Sequence, residues 1–184
     1  MVRIQDRYEY RQLERVETPG ESRFLTFSCY RQLPLFSNDA INDAFARRLG
    51  QLRDRLGFKL HAWVIMPEHA HLLLTPGPEQ TVRGILTRLK GPFAQRLIKR
   101  WTELNASVLE RIRDPSGRMC FWRAAGGFDR NIWSAEEYCE KLHYIHVNPV
   151  RRGLVRSSTD WAWSSARWYA GLREGAIAID RAGE

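Results

Sequence analysis

His69, Ala70 and His71 put two imidazoles two residues apart at the head of the apolar run "HAHLLLT". In an extended strand residues two apart share a face, so both rings can aim at one point while Ala70 and Leu72 turn to the core. Such a pair suits a divalent metal. Two nitrogen donors are nevertheless an incomplete site, and paired histidines at a strand end are equally consistent with a polar edge facing water. A second reactive set lies far down the chain, where Tyr144 and Asn148 stand four residues apart. One helical turn separates them, so a phenol and a carboxamide can reach one cation from the same side of a helix. A phenol ordinarily keeps its proton at neutral pH. To act as a nucleophile, Tyr144 needs a metal or cation beside it and a phosphate already polarised for attack.

The elements that must position these groups follow from periodicity. "RFLTFSCY" reads as a buried strand, and the run after Ser37, a plausible N-cap, carries Ile41, Ala44, Phe45, Leu49, Leu52 and Leu56 at helical spacing up to Gly57. "FKLHAWVIM", the turn "PEH" and "AHLLLT" read as two strands joined tightly. A second helix begins at Thr81, with a kink or restart expected at Pro92. "CFWRAAGGFDRNIW" reads as a short strand with a glycine break. Ser134, with Glu137 three residues on, opens a third helix expected to end near Pro149. On that helix Tyr138, Leu142 and Ile145 mark the buried stripe and Tyr144 falls on its flank. The order strand, helix, strand, strand, helix, strand, helix is that of an α+β, ferredoxin-like fold, an antiparallel sheet with helices packed mainly on one face. Residues 1–22 read as a polar arm, 23–170 as the domain and 171–184 as a tail.

Composition narrows the function. The 184 residues suit one domain, and no apolar run approaches the roughly 18 residues of a membrane helix. The N-terminus has no apolar leader, so an intracellular protein is expected. Cys29, Cys120 and Cys139 lie too far apart for a zinc motif or a disulfide framework and read as reduced core thiols. Twenty-nine Lys and Arg against 21 acids give a net charge of +8. This excess favours a polyanion, with nucleic acid first, and the aromatic residues interleaved with arginines in "FWRAAGGFDRNIW" and "RWYAG" could stack on unpaired bases.

"WVIMPEHAHLLL", then "FDRNI", then "YIHVNPVRRGLV" with "DWAWSS" behind it, closely resembles the REP-associated tyrosine transposases, within the wider single-tyrosine HUH transposases. The resemblance runs from about Phe24 to Trp168. It implies a ferredoxin-like fold, His69 and His71 as metal-binding histidines, Asn148 as third ligand and Tyr144 as the catalytic tyrosine. It also implies metal-dependent cleavage and rejoining of single-stranded DNA near hairpin repeats, through a 5′-phosphotyrosine, in a cytoplasmic, nucleoid-associated protein. The cation would be Mg²⁺ or Mn²⁺, and the active unit a monomer or homodimer. Arg83, Arg88, Lys90, Arg130, Lys141, Arg151 and Arg152 are the candidate DNA contacts. Two rivals stand beside this reading: a hairpin-binding protein that does not cut, and a zinc hydrolase that takes His143 or Asp129 as a further ligand.

Overall fold

In strand β1 (Arg23–Ser28) Leu25 and Phe27 turn to one side of the sheet and Phe24 to the other, as the alternation of its sequence requires. A computed structural model of the chain describes residues 20–124, 127–172 and 177–181. Nearly all of the expected N-terminal arm, residues 1–19, lies outside the described residues. After β1 come α1 (Asp39–Leu56), the hairpin β2 (Lys59–Met66) and β3 (His69–Thr75), α2 (Val82–Glu103) and the single turn α3 (Val108–Arg111). Strand β4 (Phe128–Asn131), α4 (Ala135–Arg151) and the short α5 (Ala166–Tyr169) complete the order. The sheet runs β2-β3-β1-β4 with every neighbouring pair antiparallel, the split β-α-β topology of a ferredoxin-like fold.

Helices α1 and α2 cover one face of this sheet, burying Phe45, Leu49, Ile85, Leu89 and Phe93 against Leu25, Phe27, Leu60, Leu72 and Leu74. Helix α4 covers the opposite face, where Ile145 and the half-buried Tyr138, Leu142 and Tyr144 meet Phe24, Ala62, Val64, Met66 and Leu73. The tail is not separate from the domain, since Ile177 and Ile179 join the larger core and Asp180 accepts from Arg53 and from the Leu60 backbone N–H.

Four local expectations are corrected. Helix α1 is capped by Asn38, whose side chain accepts from the Ala40 N–H at 2.9 Å, one residue beyond Ser37. Helix α2 runs unbroken through Pro92. The proline cannot donate to the Arg88 carbonyl one turn back, and the Arg48 guanidinium of α1 does so instead, while its Nε donates to Leu89 O at 2.9 Å. Helix α4 continues through Pro149 to Arg151, and the chain turns off at Gly153, whose φ of +67° suits a residue without Cβ. Of the cysteines only Cys29 is a core thiol, its pKa pushed up to about 12 by burial; Cys139 is exposed.

Candidate active site on the α4 face

The two-residue turn Pro67–Glu68 fixes where β3 begins. Its carbonyls are held from outside the hairpin, Glu68 O by the Cys29 N–H at 2.8 Å and Pro67 O by the Phe36 N–H at 2.9 Å. From that anchored start His69 and His71 project to the α4 face, and their Nε2 atoms converge to 3.0 Å. The outer nitrogen of each ring is also engaged. Glu68 Oε1 accepts from His69 Nδ1 at 3.1 Å, and Thr26 Oγ1 lies 2.7 Å from His71 Nδ1, directly across the β1–β3 register. Phe24 stacks on His71 with centroids 5.5 Å apart and planes 17° apart, which leaves that ring little room to turn.

Helix α4 brings the second half of the site. Ser134 caps it by accepting from the Glu137 N–H at 3.1 Å, a contact that contributes about 1 kcal/mol in ordinary helices. Because the helix persists through Pro149, Asn148 keeps helical geometry; it is buried, with Nδ2 3.2 Å from His71 Nε2. Tyr144, one turn earlier, sets its ring 5.3 Å from that of His71 and 5.9 Å from that of Phe24, edge to face in both cases. The Arg151 guanidinium lies 5.9 Å from the Tyr144 ring. His69, His71, Tyr144 and Asn148, widely separated in sequence, thus meet within one chain.

Electrostatics shape the pair. Burial pushes the His71 pKa down to about 3, helped by neighbouring His69, and burial likewise lowers His69 against the pull of Glu68. Burial raises the Glu68 carboxyl, but the Arg152 bond at 2.6 Å and the adjoining His69 outweigh it and hold the group below the usual range. An ionised Glu68 only accepts, so His69 carries its proton on Nδ1 and aims the Nε2 lone pair at His71. Two neutral imidazoles with converging lone pairs need something positive between them. A proton on His71 Nε2 can bridge them, and a divalent cation beside both nitrogens could replace it once that proton moves to Nδ1, where Thr26 Oγ1 can accept it. The Asn148 carboxamide, turned about its last bond, offers an oxygen there. Among the described residues no group of three or more His, Cys, Asp or Glu side chains is disposed to hold a metal, and the Asn148 amide is the further polar side chain beside His71 Nε2.

The basic candidates divide by face. Arg151, Arg152, Lys141 and Arg130 lie on the Tyr144 side. Arg152 is bound to Glu68, Arg130 to Glu137 at 2.7 Å, and Lys141 to Glu140 at 2.7 Å with its ammonium 6.0 Å from the Phe24 ring. Arg83, Arg88 and Lys90 belong to α2 across the sheet and are not brought to the site; the Lys90 ammonium sits over Phe27 and Trp122. Asp129 stands opposite Leu25, on the α1/α2 face, in a buried ion pair with Arg23 at 2.6 Å. His143 is exposed, and His146 bonds Ser165 Oγ at 2.8 Å. None of these three joins the histidine pair. Thr26, Glu68 and Phe24 are functional neighbours that sequence reasoning did not assign. Glu68 had one available signal, its place in the turn directly before His69.

Known proteins are similar to this chain in sequence and fold. The family model described as "Transposase IS200 like" matches residues 22–112, which include both histidines and stop short of Tyr144 and Asn148. A REP-associated tyrosine transposase of Escherichia coli K12 is 29% identical over 133 residues, 72% of this chain and 67% of that protein. Over these residues the chain is similar to the IS200-like transposases. A putative REP-associated tyrosine transposase of Haemophilus influenzae Rd is 26% identical over 154 residues, 80% of this chain and 81% of that one. The fold of this chain matches that of a solved REP-associated tyrosine transposase bound to a REP hairpin, with a TM-score of 0.64 at 22% identity over 92% of this chain and 90% of the other. Among the described residues no helix is long and apolar enough to cross a membrane.

Proposed function

We propose that this protein is a transposase that nicks and rejoins single-stranded DNA near hairpin repeats, with Tyr144 as nucleophile. The observation that carries the reading is the meeting of the two Nε2 atoms, the Asn148 amide and the Tyr144 ring at one point of the α4 face. His69, His71 and Asn148 would hold a divalent ion. Imidazole donors suit Mn²⁺ and an amide oxygen suits Mg²⁺. Such an ion supplies Lewis-acid polarisation of the scissile phosphate.

The chain's own residues do the remainder. Glu68 and Thr26 hold the imidazole tautomers, Phe24 fixes the His71 ring, and Arg151 places positive charge beside the tyrosine where a phosphate would arrive. Attack of the Tyr144 oxygen forms a new O–P bond as the bond from phosphorus to the 3′ oxygen breaks. The phenol proton leaves and the 3′ oxygen gains one. A 5′-phosphotyrosyl enzyme and a free 3′-hydroxyl result, and the reverse attack by a 3′-hydroxyl rejoins strands without ATP.

The test is a labelled single-stranded hairpin oligonucleotide incubated with protein and Mn²⁺ or Mg²⁺, then resolved on a denaturing gel. Wild type should give a protein–DNA adduct that chelator abolishes, and Tyr144→Phe should give none. An adduct that persists in Tyr144→Phe removes the nucleophile; binding without cleavage leaves a hairpin-binding protein.

A further inference from the structure

We infer that Phe128, on the edge strand β4, is a stacking platform for an unpaired base close to the phosphate that meets Tyr144. The inference rests on the single-strand reading above and names a binding residue that reading does not use. Phe128 is 52% exposed, and a single exposed ring would call for no explanation. Phe128 is not isolated. It touches Phe24 edge to face at 5.9 Å, and the buried Phe24 in turn stacks on His71 and meets Tyr144, so a chain of ring contacts runs from the tyrosine to the outer strand of the described sheet.

Register makes the placement specific. Thr26 is paired with His71 on one side and with Phe128 on the other, so the three form a row across adjacent strands on the α4 face. Two strand spacings put Phe128 about 10 Å from His71, within reach of a nucleotide near the scissile phosphate. The close approach of β4 to β1 depends on Gly127, where a Cβ would lie 2.9 Å from the Thr26 carbonyl oxygen. Arg130, two residues along the same face, is directed by Glu137 alongside this surface, and Lys141 stands over Phe24. A π face bordered by cationic side chains is the arrangement that holds single strands with little regard to sequence, since every base can stack.

The test is fluorescence anisotropy with a fluorescein-labelled thymidylate oligonucleotide, which has no hairpin and needs no known target sequence. Phe128→Ala and Phe128→Leu should each weaken binding about 5- to 100-fold, the second retaining apolar bulk so that folding is not at issue. Phe128→Tyr should bind as wild type, and so should Trp133→Ala, another exposed aromatic, beyond the other end of β4. The salt dependence of Phe128→Leu should keep the wild-type slope, because no phosphate contact is removed. Wild-type binding by Phe128→Leu, weak binding by Phe128→Tyr, a reduced slope, or no binding of the oligonucleotide by the wild type would each overturn the inference. The hairpin adduct assay reports separately. An adduct with no dependence of binding on Phe128 sinks the platform alone, whereas Phe128-dependent binding with no adduct sinks the cleavage reading alone.

Discussion

On the α1/α2 face of the sheet, Phe36, Phe45, Phe93 and Phe121 pack ring against ring at centroid distances of 4.9 to 5.9 Å, with no charged group among them. On the α4 face the apolar cluster is smaller, and buried beside it are His61, His71, His146 and Asn148, each with a hydrogen-bond partner. A buried polar group contributes little net stability when satisfied and costs about 1–3 kcal/mol when left unpaired. The first face therefore supplies most of the folding free energy, and the second uses its burial to hold reactive groups still. Substitutions on the two faces should separate stability from chemistry.

The largest effect is expected on the first face. Phe45→Ala, which empties the centre of the ring cluster, should cost about 3–5 kcal/mol in urea unfolding. Well below its midpoint the variant should still form the wild-type level of DNA adduct; a matching loss of adduct would show that the faces are not independent. On the second face Glu68→Gln should leave the unfolding midpoint nearly unchanged yet weaken Mn²⁺ binding about 10- to 100-fold in calorimetric titration, because an amide no longer fixes the His69 tautomer. An unaltered affinity would detach Glu68 from the site.

Acid should act on the second face too. Burial lowers the His146 pKa from 6.5 to about 4, so the unfolded chain takes a proton that the folded chain refuses. The stability this represents is present above pH 6.5 and is lost as pH falls toward 4, by about 2 kcal/mol at roughly pH 5. His61 and His71 shift in the same direction and add to the slope. Urea midpoints for His146→Gln should show a shallower decline between roughly pH 7 and pH 5 than wild type. The smallest effect belongs to the helix pair of the first face. Arg48→Met should cost about 1 kcal/mol by withdrawing its donors from the α2 carbonyls, and the cost should shrink in a Pro92→Ala background, where the helix supplies its own donor.

Local pattern carried much of this architecture. Strand alternation placed His69 and His71 on one face with Ala70 and Leu72 on the other, and helical spacing placed Tyr144 one turn from Asn148. What escaped the sequence was supplied by distant residues. Pro92 should kink a helix judged alone, but Arg48, far earlier on α1, satisfies the stranded carbonyl. Thr26 becomes a partner of His71 only through the β1–β3 register, and Asp129 turns from the site only because Leu25 stands opposite it. The basic face of α2 was legible as charge. Which side of the sheet it covers was not, so Arg83, Arg88 and Lys90 were grouped with residues that lie across the sheet from them.

The chain beyond α4 also governs how copies of this protein behave together. An edge strand offers unpaired N–H and C=O groups on which another chain can polymerise. Along β2 those groups are already taken by the molecule itself: the Ile65 N–H donates to Trp163 O, Trp63 O accepts from the Ser165 N–H, and Leu60 exchanges bonds with Asp180. The opposite edge, β4, is only four residues long and carries Asp129 and Arg130. With one border sealed by its own sequence and the other short and charged, the sheet resists growth into a fibril, and the proposed stacking platform can lie at that border without inviting self-association.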